Sequence, residues 1–149
     1  MRRTERAQAL VWLVMLVPLF VSFAGLAVDG AILLSARREL QSVADGAARA
    51  GATRVDLARL RASNGTDVEL DSASAHAAAQ AYFDTELVKA LPWDTAPQVE
   101  VEIAQRRVHV VVQGALQTAF MRVVNINTVP IEAAADADVQ FGIRAGNGT

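Results

Sequence analysis

The hydrophobic pattern starts with an apolar run long enough to cross a lipid bilayer. From Ala7 to Val28 no residue is charged, and twelve of the nineteen positions between Leu10 and Val28 are Leu, Val or Phe. A helix of about twenty residues spans roughly 30 Å, which is the thickness of the hydrocarbon core. Residues 8–28 are therefore predicted to form a transmembrane helix.

The charges that flank this run predict its orientation. The leader, residues 1–7, contains three arginines and one glutamate, and loops rich in Lys and Arg stay in the cytoplasm. The rest of the chain is then expected outside the cytoplasm, in a protein that crosses the membrane once. The alternative is a cleaved signal peptide, because small residues precede Val28. An uncleaved anchor is favoured, since the run is long for a signal and the helical pattern continues beyond it.

Beyond Asp29 the apolar positions repeat every seven residues. This a/d pattern predicts that the helix continues to residue 61, with one apolar seam along it. The seam either packs on its own domain or contacts other subunits, and both alternatives remain open here. The residues proposed as partner contacts are Asp29, Leu33, Ala36, Leu40, Val43, Ala47 and Ala50.

Asp29 is the one ionisable residue in an unexpected position, because it directly follows the apolar run. A carboxylate in lipid is costly, but at the membrane interface the cost is much lower. Two interpretations are open. Asp29 is a boundary residue that is hydrated by water, or it contacts a basic group on another membrane helix.

Residues 62–143 are predicted to form a small α+β domain, and residues 144–149 a flexible tail. A loop rich in Asn, Gly, Asp and Ser covers 61–74, and Ser72 or Ser74 is expected to cap a second helix that ends before Pro92. The overall expectation is an α+β fold: a long helix followed by a small antiparallel sheet with one or two packed helices.

From Gln98 the apolar period changes to two, which predicts strands. Residues 98–103 and 107–113 read as a hairpin with valines on one face. Residues 115–125 fit a short helix slightly better than a third strand. Residues 128–141 alternate again, and Pro130 places the start of that strand at an edge or a bulge.

The charged side chains of the predicted strands are expected either to pair with one another or to be exposed to water. The two glutamates of the first strand are expected to pair with Arg106 and Arg107 across the hairpin. Asp136 and Asp138 lie on one face of the last strand and are expected to be solvated, because two carboxylates alone rarely hold a cation.

Composition argues against several classes of function. There is no cysteine, which removes disulfides, thiol catalysis and Cys-based zinc sites, and a net charge of −2 does not suggest nucleic acid as a partner. His76 and His109 each lack a second ligand at helical spacing, and no nucleophile–base pair is apparent. We expect no enzymatic activity, no metal or other cofactor, and no small-molecule substrate.

The stretch from Arg2 to Ala52 resembles the N-terminal signature of TadE/TadG-like Flp pilus-assembly proteins of bacteria. The shared features are a basic leader, "QA", an apolar helix with a central proline, "GLAVD", an arginine pair and an "LQ…ADGAA…AGA" helix. The ending, "QTAFMRVVNINTVPIEAAADADV", is similar to that of the family as well. Ala7 and Trp12 stand where prepilin peptidase substrates usually carry Gly and Glu, so we expect no processing after Ala7.

The resemblance implies a pilin-like fold and a structural role in a tight-adherence pilus or secretion assembly. The chain would be a minor pseudopilin-like or accessory subunit that acts through protein contacts. Its partners would be other Tad pseudopilin-like subunits, platform proteins of the inner membrane, and membrane lipid. A membrane-tethered binding module outside any filament is the alternative.

Overall fold

The computed structural model describes residues 2–87 and 91–139, with the backbone alone for residues 2–9. The fold is α+β, as predicted, with a long N-terminal helix, two shorter helices and one three-stranded antiparallel sheet. In chain order the elements are α1 (Arg2–Ala52), α2 (Leu57–Ala62), α3 (Ser72–Glu86), β1 (Trp93–Ile103), β2 (Arg107–Gln117), a 3₁₀ turn (Met121–Val124) and β3 (Thr128–Asp138). Residues 57–139 are called the head below.

Helix α1 has two halves with opposite surroundings. Between residues 10 and 28 every side chain is exposed except at Gly25, and large apolar side chains such as Met15 (71%) and Phe20 (67%) have no protein neighbours to cover them. This part is long and apolar enough to cross a membrane. The core helix of a soluble domain would bury such residues instead. From residue 36 onward one face of the helix is buried by the head.

The end of α1 differs from the prediction. The helix stops at Ala52 rather than at residue 61, and a separate short helix follows. Two features explain the break. Val55 forms a β-bridge with Leu70, which requires extended backbone, and the Asp56 carboxylate accepts hydrogen bonds from the N–H groups of Ala58 and Arg59 at 2.9 and 3.0 Å. An N-cap of this kind starts a new helix.

Helix α3 is present as predicted, but its N-cap and its C-terminal end differ from the prediction. The N-cap is Asp71, whose carboxylate accepts from the Ser74 N–H at 3.1 Å, so Ser72 lies inside the helix and Ser74 is a donor. The helix ends at Glu86, with Leu87 as its C-cap. The predicted continuation through residues 88–90 lies outside the described residues.

The predicted hairpin and the last strand are both present, in the order β1-β2-β3. The inner face of the sheet carries Val108, Val110 and Val112 of β2. Val110 opposes Val101 on one side and Ala135 on the other. β3 is an edge strand, which fits Pro130 near its start. Its predicted extension to Phe141, and the predicted tail, lie outside the described residues.

The core lies between α1, α3 and the inner face of the sheet. It is built largely from valine and alanine, whose small side chains let the elements approach closely. At Gly51, for instance, an added Cβ would lie 3.1 Å both from the Ala75 carbonyl oxygen and from Val108 Cγ1. The buried cluster consists of Leu40, Val43, Ala44, Ala47, Ala48, Val68, Leu70, Ala79, Phe83, Val108, Val110, Val112, Ala133, Ala135 and Val139.

Candidate functional site at the junction of helix and head

Asp29 is where the apolar half of α1 joins the head. Its side chain is only 2% exposed, and its two oxygens accept three backbone hydrogen bonds from the loop between β2 and β3. Oδ1 accepts from the N–H of Ala119 at 3.0 Å, and Oδ2 accepts from those of Phe120 (2.9 Å) and Met121 (2.7 Å). The carboxylate is therefore buried, and both of its oxygens are hydrogen-bonded within its own chain.

This arrangement is a helix cap supplied from far away in the sequence. The first N–H groups of any helical turn lack partners within it, and the 3₁₀ turn Met121–Val124 has no capping side chain at its own N-cap residue, Phe120. Asp29 supplies the missing acceptor from a position about ninety residues earlier. The β2–β3 loop, residues 118–127, is thus fixed against α1.

Of the two interpretations of Asp29, hydration by water is wrong, because the side chain is buried. Contact with a basic group on another membrane helix stays a prediction, and such a group would have to compete with three N–H donors. Sequence analysis missed the true partners because backbone amides carry no residue signature. The available signal was the apolar "FMRVV" between two strands.

Gly25 makes a second contact between the helix and this loop. It is the one buried position in residues 10–28, and Phe120 lies directly over it. A Cβ added at Gly25 would overlap the ring of Phe120 and approach its Cβ to 2.8 Å. The absence of a side chain at Gly25 therefore lets Phe120 rest on the helix one turn before Asp29.

Beside this contact the loop and the apolar half of α1 share an open cleft of about 280 Å³. The helix contributes Leu19, Phe23 and Leu26, and the loop contributes Phe120, Val123 and Val124 among its lining. The loop side chains are strongly exposed: Val123 to 85% and Val124 to 67%. A soluble domain rarely presents such a continuous apolar surface without a binding partner.

The seam residues occupy two kinds of position. Leu40, Val43 and Ala47 are buried in the head core, and Ala36 is also fully buried. For these four, the alternative in which the seam packs on its own domain is the one observed. Leu33 and Ala50 keep part of their surface exposed. Contact with other subunits stays a prediction, and Leu34, 58% exposed on the same helix, is a candidate that the seam pattern did not single out.

The charged side chains of the sheet pair between β2 and β3 rather than between β1 and β2. Arg107 donates to Asp138 at 2.8 Å, and a ring nitrogen of His109 lies 3.0 Å from Asp136. The hydrogen bond and charge of Arg107 hold the pKa of Asp138 below its ordinary value. The expected pairing of Arg107 with the glutamates of β1 was therefore wrong. Among the described residues, no three His, Asp or Glu side chains come together as a metal site.

Comparison with known proteins agrees with the N-terminal signature. Residues 7–55 match the model of the Flp pilus-assembly TadE/G-like family. No curated protein matches the chain. No solved structure matches it either. The matched segment contains the exposed apolar helix, Gly25, Asp29 and all the residues proposed as partner contacts, and the family is one of pilus assembly. The N-terminal third of this chain is therefore similar to TadE/G-like Flp pilus-assembly proteins, which confirms the resemblance found in its sequence.

Proposed function

We propose that the protein is a minor pseudopilin-like or accessory subunit of a Tad/Flp-type pilus or secretion assembly. In this proposal residues 8–28 anchor it in the bacterial inner membrane, with the N-terminus in the cytoplasm and the head outside. It acts through contacts with other Tad subunits and platform proteins, and not by transforming a substrate. The observation that carries the proposal is the family match at residues 7–55.

The rigid connection between anchor and head supports this role. A helix of 51 residues runs from the apolar segment into the head core without interruption. Asp29 and Phe120 add contacts at the point where a flexible linker would otherwise be expected. A subunit built this way transmits position: a partner that holds the membrane helix also fixes the orientation of the head.

The exposed face of α1 beyond Asp29 is the proposed contact surface. Leu34 is 58% exposed, and Ala31 and Arg38 are exposed on neighbouring turns of the same side, at spacings of three and four residues. An apolar centre with a basic neighbour is a composition suited to a protein contact. The buried seam residues lie on the other side of α1, where they would hold the helix against the head.

A photo-activated cross-linking side chain tests the proposal in cells of the native host. We expect replacement at Leu34 to give discrete adducts with pilus or platform subunits, whereas the same replacement at Gln113, exposed on the outer sheet face, gives none. Adducts at neither position, in cells that assemble the pilus, would contradict the proposal. That result would favour a tethered module outside the filament.

A further inference from the structure

We propose that the β2–β3 loop is a second membrane contact, which inserts its apolar tip into the lipid beside α1 on the side of the bilayer that faces the head. The proposal rests on membrane anchoring by α1 and goes beyond it. The partner is the lipid bilayer itself, with the phosphate headgroups as the polar component.

The first support is continuity with the surface of α1 that would face lipid. Val123 and Val124 line the same cleft as Leu19 and Phe23. With a rise of about 1.5 Å per residue, Phe23 lies roughly 9 Å and Leu19 roughly 15 Å below Asp29 along the helix axis. A bilayer that covers residues 19–23 of α1 therefore reaches the level of the loop tip.

The second support is that seven backbone N–H groups of the loop are already hydrogen-bonded. In lipid an N–H group without a partner costs several kcal/mol, so irregular backbone rarely enters it. Here three N–H groups bind Asp29, and that of Thr118 donates to the Asn127 carbonyl. Those of Val123, Asn125 and Ile126 donate to carbonyls within the loop. Asp29 thus lowers the polar cost that would otherwise keep the turn in water.

The third support is the distribution of side chains. The loop exposes Phe120, Val123, Val124 and Ile126 to 44%, 85%, 67% and 45%. Its single charged residue is Arg122, and it has no acidic residue. An arginine among apolar residues at the membrane surface extends its guanidinium toward lipid phosphates while its neighbours remain in the acyl region. This pattern fits an interfacial anchor.

Spin labels on single cysteines test the proposal, since the chain has no cysteine of its own. The full-length protein is reconstituted in vesicles of phosphatidylethanolamine and phosphatidylglycerol and labelled at V123C, at F20C in the apolar helix, or at Q113C on the sheet. Collisions with oxygen, which concentrates in lipid, and with a water-soluble nickel chelate are then compared. We expect the Val123 label to behave like that at Phe20, with several-fold fewer nickel collisions than at Gln113.

The possible outcomes separate this inference from the anchoring on which it rests. A water-like label at Val123 with a lipid-like label at Phe20 overturns the inference and leaves the anchor intact. Water-like labels at both positions overturn the anchor as well. A label at Val123 shielded from both reagents also overturns the inference, because a protein surface would then cover the loop.

The role of Asp29 in positioning the loop has its own readout. Asp29→Asn keeps the size of the side chain but replaces one acceptor oxygen by an NH₂ donor that faces the loop amides. We expect the Val123 label in D29N to gain mobility and nickel collisions several-fold, while the Phe20 label is unchanged. An unchanged Val123 label in D29N would overturn the positioning role.

Discussion

Truncation of Leu40 distinguishes the two alternatives for the seam of α1. Leu40 is 0% exposed and lies in the head core, whereas Leu34 on the same helix is 58% exposed. If the seam stabilises its own domain, Leu40→Ala must destabilise the isolated protein and Leu34→Ala must not. If the seam instead serves other subunits, the two substitutions should affect assembly and leave the folding of the monomer unchanged.

The expected magnitude follows from the buried volume. Leu→Ala removes three carbon atoms, and burial of each contributes about 0.8 kcal/mol, so the transfer term is roughly 2.4 kcal/mol. The cavity that remains adds to this, which gives about 3 kcal/mol within the range of about 2–5 kcal/mol for such sites. At about 4 °C per kcal/mol, the midpoint of thermal unfolding falls by about 12 °C. Leu34→Ala should change stability by less than about 0.5 kcal/mol.

The assay uses the full-length protein in detergent micelles, with Trp12→Phe in every variant so that Trp93 alone reports on the head. Trp93 packs against the core cluster, so its fluorescence follows the loss of that core. Urea and thermal unfolding are measured at two protein concentrations, because a stabilising contact between subunits would make the midpoint depend on concentration.

Equal midpoints for Leu40→Ala and Leu34→Ala would refute the proposed role of the core seam. The role would also be refuted if Leu40→Ala lowered the unfolding midpoint at high protein concentration but not at low concentration. The stabilisation would then come from a second subunit.

Two further predictions concern the close packing and the charges of the head. Gly51→Val should lower the free energy of unfolding, measured in urea, by about 1–3 kcal/mol through overpacking. The reason is that a Cβ at this position would already lie 3.1 Å from Val108 Cγ1. An unchanged free energy of unfolding would show that the helix can move away. Arg107 lowers the pKa of Asp138 in the folded state. The pair therefore stabilises the fold at pH values above the ordinary aspartate pKa of about 3.9. This stabilisation is lost as the pH falls through the lower pKa that Asp138 has in the folded protein. In Arg107→Gln an NMR titration should find the Asp138 pKa higher than in the wild type, and an unchanged value would reject the pairing.

The elements with a strong local period could be predicted from the sequence. The apolar helix at residues 10–28 and the strands predicted at 98–103 and 107–113 are present, although β1 already begins at Trp93 and β2 continues to Gln117. Their signals are local, because a helix or a half-buried strand repeats its exposure every 3.6 or two residues. The family signature is local as well, since it lies within one continuous segment.

Boundaries were harder to predict, because they depend on contacts that compete with the local pattern. The heptads of α1 continue past Ala52, yet the bridge between Val55 and Leu70 and the cap at Asp56 end the helix earlier. Similarly, Arg107 could have paired with either neighbouring strand, and only the register of β2 against β3 places Asp138 beside it.

The sequence by itself determined that one apolar helix precedes a small α+β head, because each element buries or exposes its residues with its own period. The tertiary structure alone decided what Asp29 does and which seam residues remain accessible. Asp29 and the amides of residues 119–121 are about ninety positions apart, and an amide has the same chemistry in every residue except proline. No pattern along the chain identifies such partners, because only the folded path of α1, β2 and the loop between the strands brings them together.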